Sequence, residues 1–196
     1  MKKVLMTLCV AAVAFGAKAQ KSDASGMEYG VKAGVNFSSD KTSGGGVSTT
    51  ESGTGFLAGV YAAFPVSNAI KIQPELLYDN QSTTNSGVTD NANYLSVPVL
   101  AKYAFKSSGF SVLAGPQIGL LLSAKEKADG TSTDIKSSLN STNFSLAVGA
   151  EYDLPMGLNF AARYNIGLSN IAKSTSDGIT DKLSCFALTV GYKFSK

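Results

Sequence analysis

The feature that most constrains this chain is an alternation of apolar and polar residues with a period of two, which recurs about eight times after residue 27. In the last copy, residues 185–194, the even positions hold Phe186, Leu188, Val190, Tyr192 and Phe194. The odd positions there hold small, polar or charged residues. Because successive side chains of a strand point to opposite faces, each copy predicts a β-strand with one apolar and one polar face.

The connections between these segments alternate between long and short. Strands are predicted at 28–38, 55–64, 69–80, 93–105, 110–124, 142–154, 158–170 and in a last segment that ends at residue 194. Long polar loops are predicted at 39–54, 81–92, 125–141 and 171–182, and tight turns at 65–68, 106–109 and 155–157. This asymmetry is typical of outer-membrane barrels. The sequence therefore predicts an all-β fold, an eight-stranded antiparallel up-and-down transmembrane β-barrel with both termini in the periplasm.

The N-terminus has the pattern of a secretory signal. Lys2 and Lys3 precede an apolar run over 4–15, which is too short to span a bilayer as a helix. Small residues flank Lys18, which predicts cleavage between Ala19 and Gln20; an uncleaved anchor is the alternative. The predicted organisation is a signal peptide at 1–19, a short periplasmic lead-in at 20–27 and an outer-membrane barrel domain at 28–196.

Removal of that signal changes the charge balance. The three lysines within 1–19 account for the whole excess of 17 basic over 14 acidic residues, so the predicted mature chain is neutral. The composition therefore gives no support for a nucleic-acid partner. The mature chain has one cysteine, Cys185, which excludes an intrachain disulfide and suits a small filler residue, and the chain has no histidine.

Alternation alone does not decide which face of the sheet is outside. A soluble, lipocalin-like barrel would turn the apolar face inward. Two patterns favour the opposite arrangement: glycine and alanine crowd the polar face, as the narrow interior of an eight-stranded barrel requires, and aromatic residues gather at the ends of the apolar faces, as membrane girdles do. The apolar face is therefore expected to contact outer-membrane lipid.

The predicted inner face carries many charges, which should pair because isolated charges in a narrow lumen are costly. They are Glu28, Lys32, Lys71, Glu75, Asp79, Lys102, Glu151, Asp153, Arg163 and Lys193. Glu75, Lys102, Glu151 and Arg163 lie near mid-strand and are the candidates for the centre of an ion-pair plug. A proton or ion path is the alternative. Pro74, Pro98 and Pro116 fall within predicted strands and are expected at bulges or local breaks, because proline lacks a ladder donor.

Several segments resemble the PorT-like outer-membrane β-barrel family. Residues 94–103 read YLSVPVLAKY, close to the YLEIPLLLKY strand of that family, and 115–119, 149–152, 162–171 and 190–194 resemble its later strands. Ser96 stands where the family often has glutamate, which would remove one lumenal ion pair. One member of the family is associated with protein secretion, but most have no assigned activity, so the resemblance implies a barrel and leaves the role open.

Four functions are compatible with the sequence. The first is a non-enzymatic integral outer-membrane protein with a filled lumen and four surface loops, in a structural, adhesive or accessory role such as secretion. The second is a small channel or transporter of ions or small hydrophobic molecules. The third is a membrane enzyme using Asp129 with Asp134 or Asp177 with Asp181, and the fourth is a soluble ligand binder. The expected partners are outer-membrane lipid, the barrel-assembly machinery during insertion, and surface or secretion partners at the loops; no cofactor, metal site or catalytic residue is expected.

Overall fold

The computed structural model describes residues 26–44, 47–85, 87–105, 108–128, 131–173 and 180–194. The predicted signal peptide, its cleavage site at Ala19 and Gln20, and most of the lead-in lie outside these ranges. The strands are β1 (Glu28–Gly44), β2 (Val47–Pro65), β3 (Ile70–Asn85), β4 (Val88–Ala104), β5 (Phe110–Ala128), β6 (Thr131–Asp134), β7 (Thr142–Asp153), β8 (Leu158–Gly167) and β9 (Thr180–Lys193). A short 3-10 helix covers Lys136–Ser138. No helix in the described ranges has the length and apolarity needed to cross a membrane.

Eight of these strands form a closed antiparallel barrel, as predicted. The sheet order is β4-β3-β2-β1-β9-β8-β7-β5, and pairing between β4 and β5 closes the ring. β9 pairs with β1, so the chain termini meet in adjacent strands. β6 is an additional short strand that pairs with β5 outside the ring. Closure leaves no open edge within the ring, which is the condition for a sheet to cross a bilayer.

The apolar face of the barrel points outward. Large hydrophobic side chains are exposed along every strand of the ring, whereas the inner positions are buried and mostly polar. On β1, for example, Tyr29, Val31, Val35 and Phe37 are each more than 40% exposed, while Lys32 is 3% exposed. An exposed apolar surface that encircles the molecule fits lipid and not water. The lipocalin-like alternative, with its apolar face inward, is therefore wrong. We call this band of outward apolar side chains the apolar belt.

Two of the predicted long loops are in fact strands. β1 and β2 continue through the predicted loop 39–54 and pair as far as Gly44 and Val47, and β3 and β4 fill most of 81–92 and pair as far as Asn85 and Val88. The loop 125–141 begins with the end of β5 and β6, and 171–182 contains the start of β9. The prediction failed because Gly, Asp and Asn in these segments have low intrinsic strand preference, while pairing with a long neighbouring strand supplies the missing stability.

The strands therefore differ in height. On β1, Phe37 is the last large apolar residue to face outward, and seven more strand residues follow it. In contrast, β8 ends at Gly167. We call the sheet beyond the apolar belt the extension. It consists of 38–44, 47–54, 80–85, 88–93, 123–128, β6 and 180–184. All of it lies at the barrel end opposite the three short turns.

A bulge in β5 determines which of its side chains point into the interior of the extension. The register between β4 and β5 shifts at Asn93 and Tyr94, leaving Leu122 as an extra residue on β5. An extra residue reverses the alternation beyond it. Ala124 is therefore buried inside, whereas Lys125 and Lys127 are exposed outside. The run Leu120-Leu121-Leu122 is the sequence trace of this bulge, because it interrupts the alternation.

The three strand prolines lie at local breaks in pairing, as predicted, but not at register shifts. Pro74, Pro98 and Pro116 each keep a partner on the following strand of the ring, and each lacks a paired position on the preceding one. Pro74 pairs with Val99, beside Pro98, and Pro98 pairs with Gln117, beside Pro116. The prolines thus form a diagonal across β3, β4 and β5. Each proline faces the neighbouring strand where its missing N–H breaks the ladder.

Candidate functional site

The centre of the lumen is an ion-pair network around Glu75. Lys32 donates to Glu75 Oε1 at 2.7 Å, and Arg163 donates to Oε2 at 3.0 Å. The buried side-chain amide of Gln73 donates to Glu75 Oε1 at 2.9 Å. The Glu75 side chain has no exposed surface, so both of its oxygens are held by donors from three other inward positions. A buried carboxylate of this kind is stable only because these partners replace its hydration.

A second carboxylate, Glu151, extends the network across the barrel. Lys102 donates to Glu151, and also to Asp153 at 2.7 Å. Lys32 lies 3.7 Å from Glu151 Oε2, so this one lysine joins the two carboxylate centres. The three cations and the three carboxylates in this layer balance in charge. The network therefore spans the lumen from β3 and β8 to β4 and β7 without a net charge.

The structure places all four predicted plug residues inside the lumen, in two direct pairs. Glu75 pairs with Arg163, and Lys102 pairs with Glu151. Lys32 was predicted to face inward but not to lie at the centre, and it is the residue that connects the two pairs. The sequence placed Lys32 only among the inward charges of the first strand. The tilt of the strands brings it level with mid-strand residues of the others.

Polar layers continue on both sides of this network. Towards the extension, Asp79 accepts hydrogen bonds from Asn36 at 2.7 Å, Gln81 at 2.8 Å and Ser96 at 3.4 Å. Ser96, the departure from the PorT-like pattern, thus supplies a hydroxyl donor to a lumenal carboxylate. At the other end, Glu28 accepts from Lys71 at 2.7 Å and from Lys193 at 2.8 Å. The lumen is filled with polar groups along most of its length, and the charged groups of these layers all have hydrogen-bond or ion-pair partners.

An apolar cluster closes the lumen where the extension begins. Its buried members are Tyr94, Leu121, Ala124, Ile171 and Leu183, packed with Ala92, Ile135 and Leu139. The two segments that follow β6 and β8 are tied together over this cluster. Asn140 donates its side-chain amide to the carbonyls of Asn170 and Ala172, and Ile171 donates its N–H to the Asp181 carbonyl. We call this cluster the cap.

Beyond the cap, charges are sorted by face. The acidic side chains at inward positions of the extension are Asp40, Glu51, Asp90, Glu126 and Asp181, and the lysines of its strands, Lys41, Lys125, Lys127 and Lys182, are exposed outside. Burial and the nearby Asp181, Glu51 and Asp90 raise the pKa of Asp40 to about 8. Burial, with Glu126 and Glu51, also raises the pKa of Asp90. The interior of the extension is therefore an acidic cup above an apolar cap.

A cavity of about 110 Å³ lies between the cup and the cap. Tyr94 and Leu183 of the cap form part of its floor, and its polar lining comes from Asp40, Gln81, Thr83, Asp90, Asn91 and Asp181. Among the described residues, no group of three histidine, cysteine or acidic side chains could hold one metal ion between them. Cys185 is a buried free thiol on the inner face, in agreement with the small filler role expected for it.

Comparison with known proteins identifies the family and the fold. A profile described as "Outer membrane protein beta-barrel domain" matches residues 18–173. Among solved structures, Ail, the attachment invasion locus protein of Yersinia pestis, is 17% identical, with 85% of this chain and 98% of that chain covered and a TM-score of 0.50. Neisserial surface protein A is 16% identical, with 87% and 99% covered and a TM-score of 0.50.

None of the curated proteins matches the sequence. The two structural similarities, both below 20% identity, show the barrel fold alone. The profile covers most of the chain and agrees with the closed ring and its apolar belt. The chain therefore belongs to the outer membrane protein beta-barrel domain family, whose place is the outer membrane.

Proposed function

We propose that this protein is a non-enzymatic surface barrel that binds external partners through its extension and does not conduct. The observation that carries the proposal is the contrast between a lumen closed at two levels and a large polar sheet that protrudes from the membrane. An eight-stranded barrel has an interior just wide enough for side chains to fill. The filled part is therefore an anchor, and the protruding part is the surface available for binding.

Closure of the lumen argues against the channel hypothesis. The central layer of Lys32, Glu75 and Glu151 occupies the cross-section with direct ion pairs, and the cap closes the next level with apolar side chains. A permeating ion would have to break buried ion pairs and then cross a layer of buried apolar side chains. Each step costs several kcal/mol in a low-dielectric interior.

The outer surface of the extension suits a binding role. Its exposed outward positions carry hydroxyl and lysine side chains, such as Lys41, Thr50, Thr54 and Lys127. These side chains are hydrated and offer donors and acceptors on a rigid, paired sheet, which lowers the ordering cost of binding. The names of Ail and of the neisserial surface protein belong to those proteins, and the similarity to them supports the scaffold only.

The proposal places the extension outside the cell and both termini in the periplasm. Its support is the position of the three short turns at the same end as the termini, which is the usual periplasmic arrangement. Membership of the PorT-like group, with an accessory role in secretion, remains a narrower proposal that rests on the sequence resemblance. The absence of histidine from the whole sequence supports a non-enzymatic role. Asp129 and Asp177, one partner in each suggested catalytic pair, lie outside the described residues.

Topology is tested with single cysteines on intact cells. Thr50→Cys lies on the exposed face of the extension, and Met156→Cys lies in a short turn where Met156 is 67% exposed. Both are compared in a Cys185→Ser background with a membrane-impermeant maleimide. We expect labelling of Thr50→Cys on intact cells and of Met156→Cys only after lysis. The reverse pattern would contradict the proposed orientation.

Conduction and binding are tested on the same protein. Folded protein in planar bilayers should give no reproducible unitary steps, and steady steps would favour the channel hypothesis instead. For binding, cells that display the wild type are compared with cells that display a variant in which 40–51 is replaced by a tight turn. This deletion keeps the pairing of Ser39 with Ser52. We expect adhesion to matrix-coated surfaces to fall to the level of empty cells.

A further inference from the structure

We propose that the acidic cup binds one partly hydrated divalent cation, Ca²⁺ in preference to Mg²⁺, through Asp40, Asp181 and the side-chain oxygen of Gln81. The site lies in the extension, so it does not depend on the lumen or on the binding role proposed above. The argument rests on the cavity, on oxygen atoms without donors and on the distribution of charge.

Three buried oxygen atoms at this cavity have no hydrogen-bond donor. They are Asp40 Oδ1, Asp90 Oδ1 and Gln81 Oε1, and all three residues line the cavity. Gln81 is only 7% exposed, and its Nε2 donates to Asp79 Oδ2 at 2.8 Å. This bond fixes the amide, because the opposite orientation would place its oxygen against the Asp79 carboxylate. The carbonyl oxygen is therefore the atom left facing the cavity.

Charge distinguishes these atoms from other unpartnered groups in the lumen. Asn36, Asn159, Asn165 and Thr189 also have buried oxygens without donors, but those groups are neutral and an ordered water satisfies such a group. At the cup, two of the three oxygens belong to carboxyl groups. In the described part of the extension, no lysine side chain occupies an inward position that could neutralise them. A cation supplies both the missing charge and the missing partner.

The geometry indicates a hydrated ion. Asp40, Asp181 and Gln81 line the same cavity, and Thr42 donates a hydrogen bond to Asp181 Oδ1 at 3.3 Å. Two carboxylates and an amide oxygen leave several coordination positions for water, and a cavity of about 110 Å³ has room for roughly three waters at about 30 Å³ each. Ca²⁺ accepts such mixed and irregular oxygen sets, whereas Mg²⁺ demands a regular octahedron and loses its water reluctantly. Glu51 faces the same interior but makes an interaction of its own and is not required.

The test is calorimetric titration of Ca²⁺ into the full folded protein in a zwitterionic detergent, without anionic lipid. We expect one saturable site with a Kd of about 10⁻⁴–10⁻³ M, the range of extracellular Ca²⁺ modules. The variant Asp40→Asn with Asp181→Asn should weaken binding at least tenfold, and Gln81→Met should weaken it severalfold. Asp134→Asn, which removes an exposed carboxylate on β6, is the control and should bind as the wild type does.

Folding of each variant is checked by the mobility shift on boiling. A second readout is the unfolding midpoint, which Ca²⁺ should raise in the wild type and in Asp134→Asn but not in the double variant. The proposal is overturned if the wild type shows no saturable binding, if Mg²⁺ binds as tightly as Ca²⁺, or if the double variant binds with wild-type affinity.

Discussion

Inward acidic side chains have opposite neighbours in the lumen within the apolar belt and in the interior of the extension. In the lumen, Glu75 and Glu151 each contact two cations. In the extension, Asp40 and Asp181 occupy inward positions of the paired strands β1 and β9, while Lys41 and Lys182 lie on the outer face of the same strands. The two regions belong to the same continuous sheet, so the difference arises from the surroundings and not from the backbone.

The surroundings differ in their access to water. A protein interior that lipid encloses has a low effective dielectric, so an unsatisfied carboxylate there costs several kcal/mol and needs cations, as Glu75 has, or several hydrogen-bond donors, as Asp79 has. The extension stands in water, where screening and proton uptake make unpaired acids tolerable. Inward acidic side chains of one strand therefore need partners within the apolar belt, whereas beyond the end of the belt they can remain without a cation.

The largest effect should come from breaking the central network. Glu75→Ala leaves Lys32 and Arg163 without their carboxylate in a buried site, so we expect the free energy of unfolding in lipid vesicles to fall by about 3–5 kcal/mol. Glu28→Ala removes the carboxylate that Lys71 and Lys193 share at the open end of the barrel, where its side chain is 18% exposed. That variant should lose about 1 kcal/mol. Equal losses in a urea titration would contradict the distinction between the two sites.

The second effect concerns the cap. Leu183→Ala removes a buried side chain of the cluster and should cost about 2–4 kcal/mol, with faster hydrogen exchange in the extension. Leu188→Ala, on the outer face of the same strand, is the matched control because Leu188 is 43% exposed. Its expected cost is about 1 kcal/mol in detergent. If the cap did not stabilise the extension, hydrogen exchange in the extension would be equally fast in the two variants.

The third effect is a dependence on pH confined to the extension. The pKa of Asp40 is raised to about 8 from an ordinary value of 3.8, so the folded state holds its proton more tightly than the unfolded state does. Its contribution to stability is fully present below about pH 4 and is lost as the pH rises through about 8. With screening, we expect the β1–β2 hairpin to lose about 1–2 kcal/mol over this window.

Hydrogen exchange in the presence of a chelator, corrected for intrinsic rates, measures that loss. Asp40→Asn should reduce the slope with pH, while Glu75→Gln should leave the slope in the hairpin unchanged. A hairpin whose protection does not vary between pH 4 and 8 in the wild type would contradict the prediction.

The smallest effect should come from the outer face. Lys41 pairs in register with Lys182 and both are exposed, so Lys41→Gln removes a repulsion between hydrated groups. We expect the free energy of unfolding to change by no more than about 0.5 kcal/mol at physiological salt. A loss above 1 kcal/mol would mean that the outer lysines support the acidic cup through the sheet.

The closed ring, its strand number and the inward charges were predictable because period-two alternation is local and strong. Each strand carries four to six apolar positions in alternation, and closure follows from the need to satisfy every backbone group. The four plug residues were chosen by position along the strand, and that criterion passed over Lys32 as a central residue. Strand tilt in the barrel, which a linear pattern does not reveal, decides which residues share a level.

By itself, the sequence determined the barrel and the identity of its two faces, because both depend on the alternation of neighbouring side chains. Only the tertiary structure decided that Ser- and Thr-rich segments become strands, since their stability comes from pairing with distant partners. It also decided which charges meet. A single extra residue at Leu122 turns two lysines outward, and the acids of five strands converge on the interior of the extension. Register is a property of strand pairs, so no single strand contains it.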